Sequence, residues 1–106
     1  MAWSTKGVVT DPVAGDVLAD TGAIGPGAVT CTVVAYIQAN TASVFDMQHR
    51  DATNATTLYS QKIYIPYGAP SGAYTFPVVF GLNEHLRIVL DIDVIGDVQA
   101  SILTSL

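Results

Sequence analysis

The chain has 106 residues, of which 50% are apolar and only 12% are charged, and its formal net charge is −5. Its length fits one domain, its four scattered cations exclude a nucleic-acid or anionic-lipid surface, and no apolar run reaches the roughly 18 residues that span a bilayer. Typical soluble domains carry about 25% charged residues. The low charge therefore favours a surface covered by other subunits, the other interpretation being a small monomeric β domain with a neutral surface.

Residues 1–15 are predicted to form an extended arm, which precedes a single domain at 16–106. Glycines and a proline interrupt the arm, and Val8-Val9 is its one short β-like pair. Trp3 indicates that the arm docks on its own domain or on a neighbour, because a free tail would leave the ring in water. The segment lacks a basic region followed by an apolar one, so we do not expect a signal peptide.

The longest apolar, β-branched run predicts a central strand over residues 28–39. Its residues of one parity would line one face of the strand against a core: Val29, Cys31, Val33, Ala35 and Ile37. The single cysteine lies among valines on this face. We therefore predict that Cys31 is a buried apolar side chain and not a nucleophile.

Alternating patterns separated by glycine and proline turns predict the other strands. Residues 43–49 follow the central strand after a short connection, which predicts an antiparallel hairpin between the two. Pro77 cannot donate to a ladder, so its strand is expected at a sheet edge or with a bulge. The further predicted strands cover residues 16–20, 57–65, 73–80 and 85–92, and a last one runs from Val98 almost to Leu106.

Seven or eight strands with no amphipathic helix predict an all-β fold, an antiparallel β-sandwich of the jelly-roll type with an extended N-terminal arm. Two sequence clusters, His49-Arg50-Asp51 and Glu84–Arg87, would form one polar cluster if their strands end on the same side. We expect structural ion pairs there, in particular between Arg87 and either Asp46 or Asp51. The spacing matches no metal site, so neither a metal nor a cofactor is expected.

Two further groups have a structural and a binding interpretation. The carboxylates Asp91, Asp93 and Asp97 are expected to be solvated turn residues rather than a calcium site, because the spacing is not that of an EF-hand. Three tyrosines flank the loop at 66–72 and could close the end of the sandwich, or stack on a sugar or partner: Tyr64, Tyr67 and Tyr74.

The segments 47–56, 59–65 and 83–88 carry an overall resemblance to a known class. Through these segments and its overall character, the chain resembles the head decoration, or cement, proteins of tailed bacteriophages, which are small, charge-poor β-sandwich proteins. The resemblance implies a structural protein of the virion, made in the host cytoplasm and bound to the capsid surface. Its partners would be the major capsid protein and other copies of itself, with a homotrimer favoured. Such a role needs no catalysis, so we do not expect an enzyme.

Six residues are expected to contact partners: Trp3, Lys6, Tyr36, His49, Arg50 and Tyr67. Shell contacts are expected around Trp3 and at one end of the sandwich, and subunit contacts at neutral positions such as Thr30, Thr32 and Tyr36. The alternative is a carbohydrate- or receptor-binding β-sandwich module of a phage fibre. A flat neutral surface would favour decoration, and a cleft with exposed aromatic rings would favour the binding module.

Overall fold

The computed structural model describes residues 2–39, 43–65 and 71–104, and this part of the chain is all-β. It contains no helix that could cross a membrane. The described strands number nine: β1 (Ala2–Thr5), β2 (Val9–Thr10), β3 (Val17–Asp20), β4 (Gly27–Ala39), β5 (Ser43–Arg50), β6 (Thr57–Ile65), β7 (Ser71–Phe80), β8 (His85–Leu90) and β9 (Gly96–Thr104).

The strands form two antiparallel sheets that pack into a sandwich. The five-stranded sheet has the order β1-β9-β4-β7, with β2 also pairing with β9, and the four-stranded sheet has the order β3-β8-β5-β6. From β3 onward the chain changes sheet at every connection except the one between β5 and β6. This crossing pattern is that of a jelly roll, which confirms the predicted fold class. The strand count exceeds the prediction because the N-terminal arm itself supplies two strands.

The predicted central strand is confirmed as β4, which pairs with β7 on one side and with β9 on the other. Cys31 and Val33 point into the core with exposed fractions of 0% and 1%, while Thr30 on the opposite parity is exposed. The side chains of the other predicted core residues of this strand lie outside the described part: Val29, Ala35 and Ile37.

One apolar core fills the space between the sheets. It takes alternate residues from strands of both sheets, as the period of two in the sequence predicts. The four-stranded sheet contributes Leu18, Phe45, Met47, Ile63, Leu86, Ile88 and Leu90, and the five-stranded sheet contributes Cys31, Val33, Phe80, Val98, Ala100 and Ile102.

The predicted hairpin between the central strand and the strand at 43–49 is wrong. β4 belongs to the five-stranded sheet, and both of its edges are occupied by β7 and β9. β5 belongs to the other sheet, where it pairs with β6 and β8. Each strand has one apolar face, and these two faces meet across the core instead of lying side by side. The short connection therefore joins the two layers of the sandwich.

The N-terminal arm docks on its own domain along β9. Ala2–Thr5 pairs with residues 101–104, and Val9 pairs with Val98 and packs against the core. At the other end of this sheet, Pro77 lies in β7, whose only partner among the described strands is β4. The prediction of an edge strand around this proline is confirmed, since an edge strand has a side on which no ladder donor is needed.

Candidate functional site

The two charged sequence clusters meet at one end of the four-stranded sheet, because the end of β5 runs antiparallel to the start of β8. His49 Nε2 lies 2.9 Å from a carboxylate oxygen of Glu84, and His85 Nδ1 lies 3.2 Å from Asp20. Each pair joins two separate segments of the chain. The expected polar cluster therefore forms, and its hydrogen bonds between histidine and carboxylate side chains connect parts of the fold.

The predicted ion pair of Arg87 with Asp46 or Asp51 is wrong. The register places Arg87 opposite Gln48, and its Nε donates a hydrogen bond of 2.8 Å to the Gln48 side-chain oxygen. Asp46 lies opposite Lys62 on the other neighbouring strand, with 3.8 Å between Lys62 Nζ and the carboxylate. Cross-strand register, which the sequence pattern does not reveal, selects these partners.

Arg50 is occupied by the loop that follows its own strand. Its guanidinium donates to the side-chain oxygen of Asn54 at 3.0 Å, to the backbone oxygen of Asn54 at 2.7 Å and to the hydroxyl of Thr57. Asp51 accepts the backbone N–H of Ala55 at 2.9 Å, and this hydrogen bond is the leading reason that its pKa lies below the ordinary value. These contacts fix the conformation of the loop at 51–56.

The acidic turn residues have separate partners and do not converge on one point. Asp91 pairs with Lys62 at 2.9 Å, Asp93 accepts the N–H of Ala14, and Asp97 accepts the hydroxyl of Thr10. Within the described ranges no three His, Cys, Asp or Glu side chains are grouped so that they could hold a metal ion.

The single thiol is buried, as predicted. Removal of Cys31 from water raises its pKa to about 11, because burial disfavours the charged thiolate. At neutral pH the group is therefore a protonated, apolar side chain.

The outer face of the five-stranded sheet is almost free of charge. In an antiparallel ladder, directly opposed residues share a face, and one such row crosses four strands from Trp3 through Leu103 and Thr32 to Thr75. The outward positions of β1, β4, β7 and β9 that carry no charge define what we term the uncharged face: Trp3, Thr5, Ala28, Thr30, Thr32, Val34, Thr75, Pro77, Val79, Gln99, Ser101 and Leu103. The only charge at a described outward position of these strands is Asp97, at the start of β9.

Trp3 lies at the border of the uncharged face with an exposed fraction of 58%, although its backbone is paired. Its side chain lines a shallow groove of about 300 Å³ together with Thr5, Val34, Gln99 and Ser101. Lys6 follows directly after β1 with an exposed side chain, and its N–H donates to the backbone oxygen of Leu18 at 3.0 Å. Of the six expected partner residues, Trp3 alone is a described side chain on this face.

The remaining expected residues lie elsewhere or outside the described part. His49 and Arg50 lie on the other sheet, at its polar end. The backbone of Tyr36 lies in β4 opposite Gln99, but its side chain is outside the described part. Tyr67, the loop around it and the side chain of Tyr74 are also outside that part, whereas Tyr64 in β6 is 59% exposed.

A second concave surface lies between the edge strands β6 and β7, and we term it the edge cleft. Its volume is about 280 Å³, and it is lined by Met47, His49, Tyr59, Gln61, Pro77, Val78, Val79 and Leu86. Sequence reasoning missed this site. The available signal was Gln61, a polar residue on the parity that points to the core in its strand.

Comparisons with protein-family models, with curated proteins and with solved structures found no match for this chain.

Proposed function

We propose that the chain is a non-catalytic structural protein of a tailed-phage virion, which binds and stabilises the capsid surface as a decoration protein. It needs no cofactor. Its partners are the major capsid protein and other copies of the chain, with a homotrimer as the favoured assembly. The observation that supports this most directly is the uncharged face. Covering it with another protein desolvates almost no formal charge, and interface cores are depleted in charged residues.

The distribution of charge over the two sheets supports one orientation. The outer face of the four-stranded sheet carries Asp46, Lys62 and Arg87, which suit contact with water. The uncharged face would then pack against other copies, and the groove at its Trp3 border would contact the shell. A protein that binds the assembled shell and not its dissociated subunits stabilises the shell by mass action.

The fold by itself does not select this function. Jelly rolls occur in viral capsid proteins and in lectins alike, and a fold does not determine an activity. The chemistry of the surface supports the proposed function, so the test changes a surface residue.

The test is co-sedimentation of the chain with assembled capsids that lack it, using the variant W3S and the control L58S. Trp3 and Leu58 have similar exposed fractions, 58% and 52%, and lie on different sheets. Loss of an aromatic anchor typically costs about 2 kcal/mol, so W3S should bind roughly 30-fold more weakly, whereas L58S should bind as the wild type does.

The same experiment has an internal optical signal. Trp3 is the only tryptophan of this chain, so its fluorescence, after subtraction of the emission of the capsids alone, should shift to shorter wavelength when capsids bind. A wild-type chain that stays in the supernatant, or a W3S variant that binds as strongly as the wild type, would refute the proposal.

A further inference from the structure

The edge cleft exists because the sandwich is open along one side. β6 is the edge of the four-stranded sheet and β7 is the edge of the five-stranded sheet. Residues of both strands line the cleft, and its floor includes Met47 from β5 and Leu86 from β8. The floor is therefore continuous with the core, while the mouth is open to solvent.

Two residues at core-facing positions of β6 are polar. Gln61 lies opposite the buried Met47, and Tyr59 lies opposite His49, so all four share the inner face of their sheet. Yet Tyr59 is 60% exposed and Gln61 is also exposed, because the other sheet does not cover them. Neither side chain makes a hydrogen bond within the ranges that the structure describes. The Tyr59 hydroxyl and the Gln61 amide are therefore available to a ligand.

The third polar group of the cleft, His49, is held in a fixed orientation. Its Nε2 is bound to Glu84 at 2.9 Å, and its ring meets the ring of Phe80 edge-on at 5.1 Å between centroids. The N–H of Gly81 also donates to Glu84, and these hydrogen bonds hold the pKa of that carboxyl below its ordinary value. A group restrained on two sides is preorganised for binding, since little freedom is lost when a ligand arrives.

The lining favours a neutral ligand. No Lys, Arg, Asp or Glu is among the lining residues, so the cleft presents no carboxylate, ammonium or guanidinium group to a charged ligand. Ligand pockets usually start at about 300 Å³, which means that this cleft admits one ring-sized group and not a bulky molecule. An exposed aromatic ring beside an amide and an imidazole suits a ligand that has both an apolar face and hydroxyl groups.

We propose that the edge cleft binds one neutral sugar residue of a glycan, with the apolar face of the pyranose on the Tyr59 ring. Its hydroxyls would bind the Gln61 amide and Nδ1 of His49, since Nε2 of His49 is already bound to Glu84. This goes beyond the proposed function. Tyr59 lies on the other sheet from the uncharged face, although Pro77 and Val79 belong both to that face and to the lining of the cleft. The variants keep the two proposals distinguishable, because the test of the cleft changes Tyr59 and the test of capsid binding changes Trp3.

The test is a titration of the ¹⁵N-labelled full chain, followed by the NMR shifts of its backbone amides. The probes are the methyl glycosides of glucose, galactose, mannose and N-acetylglucosamine, with sialic acid and glucosamine as charged counterparts. At least one neutral sugar should shift the amides around Tyr59, Gln61 and Val78, and the charged sugars should bind more weakly.

The variants are Y59A and, as a matched control, Y64A. Both tyrosines lie in β6 with exposed fractions of 60% and 59%, but Tyr64 lies opposite Val44 and outside the cleft. Y59A should weaken binding roughly tenfold, and Y64A should leave it unchanged. The proposal is overturned if no neutral sugar shifts these amides, if the shifts lie elsewhere, or if Y59A binds as the wild type does.

Discussion

Asp20 is a carboxylate that joins three separate segments of the chain. It accepts hydrogen bonds from the N–H of Gly22 at 2.8 Å, from Asn54 at 3.0 Å and from His85 at 3.2 Å. Burial acts to raise the pKa of Asp20, but the hydrogen bonds from Gly22, His85 and Asn54 outweigh it and lower the pKa below 3.8. The residue thus connects the end of β3, the start of β8 and the loop that Arg50 orders.

This connection predicts the acid sensitivity of the fold. The pKa of Asp20 is lower in the folded state than in the unfolded state. In acid, near the unfolded-state pKa, the native protein therefore binds fewer protons at this residue than the unfolded chain does. The contribution of Asp20 to the free energy of unfolding is therefore complete above about pH 5, and it is lost as the pH falls through the folded-state pKa. The substitution D20N should lower the free energy of unfolding by about 1 kcal/mol at pH 7, after allowance for the partial exposure of the carboxylate.

Urea unfolding of the wild type and D20N between pH 2 and pH 7 measures this effect. The difference between the two free energies of unfolding should shrink as the pH falls through the acid range. Equal pH dependence in the two proteins would show that Asp20 does not connect these segments energetically.

At the scale of elements, the turn before β4 shows how backbone and packing requirements differ. Gly25 and Gly15 have nearly the same backbone angle, φ +96° and +97°, which is the left-handed region that favours glycine. A Cβ on Gly15 would meet nothing within 4 Å. A Cβ on Gly25 would overlap the backbone oxygen of Gly81 and lie 2.8 Å from the Cβ of Phe80.

The pair G15A and G25A separates the two costs. G15A should lower the free energy of unfolding by about 1–2 kcal/mol, because alanine disfavours the left-handed backbone. G25A should lower it by a further 1–3 kcal/mol or so, because its Cβ also overlaps neighbouring atoms. The midpoints of urea unfolding compare them directly. If G25A were no less stable than G15A, the close packing of this turn against residues 80 and 81 would be contradicted.

The seven strands from β3 to β9 were predictable from the sequence, but their partners were not, and the strand β1 in the N-terminal arm was not predicted. The β-branched run of β4 and the alternation of residues 97–104 predict strands because burial on one side requires a period of two. The same pattern does not say which strands are neighbours, and the short β4–β5 connection therefore led to a hairpin that does not exist. The Arg87 pairing was wrong for a related reason, since register decides whether Asp46 or Gln48 lies opposite.

The candidate sites were predictable to different degrees. The parity of Thr30 and Thr32 in their strand predicts that both neutral side chains point outward. The structure shows that they belong to an uncharged face that crosses four strands. The edge cleft was not predicted, because residues of two different edge strands line it. Tyr59 and Pro77, for example, are 18 residues apart in the sequence but line the same cavity. Only the overall topology brings them together.

At the scale of the whole molecule, the two outer faces differ in charge. Subunit packing through the uncharged face makes a specific prediction for two lysine substitutions at exposed positions of edge strands. T75K places a charge on the uncharged face in β7, and S60K places the same charge on the outer face of the other sheet in β6. An unpaired charge buried at an interface costs about 3 kcal/mol, or roughly a hundredfold in dissociation constant.

The central measurement is the native mass by sedimentation velocity of the wild type, T75K and S60K over a wide concentration range. The wild type and S60K should sediment as an oligomer, with a trimer of three 11.1 kDa chains favoured, and T75K should dissociate at concentrations where S60K does not. A wild type that remains a monomer throughout, or equal behaviour of the two variants, would contradict assembly through the uncharged face.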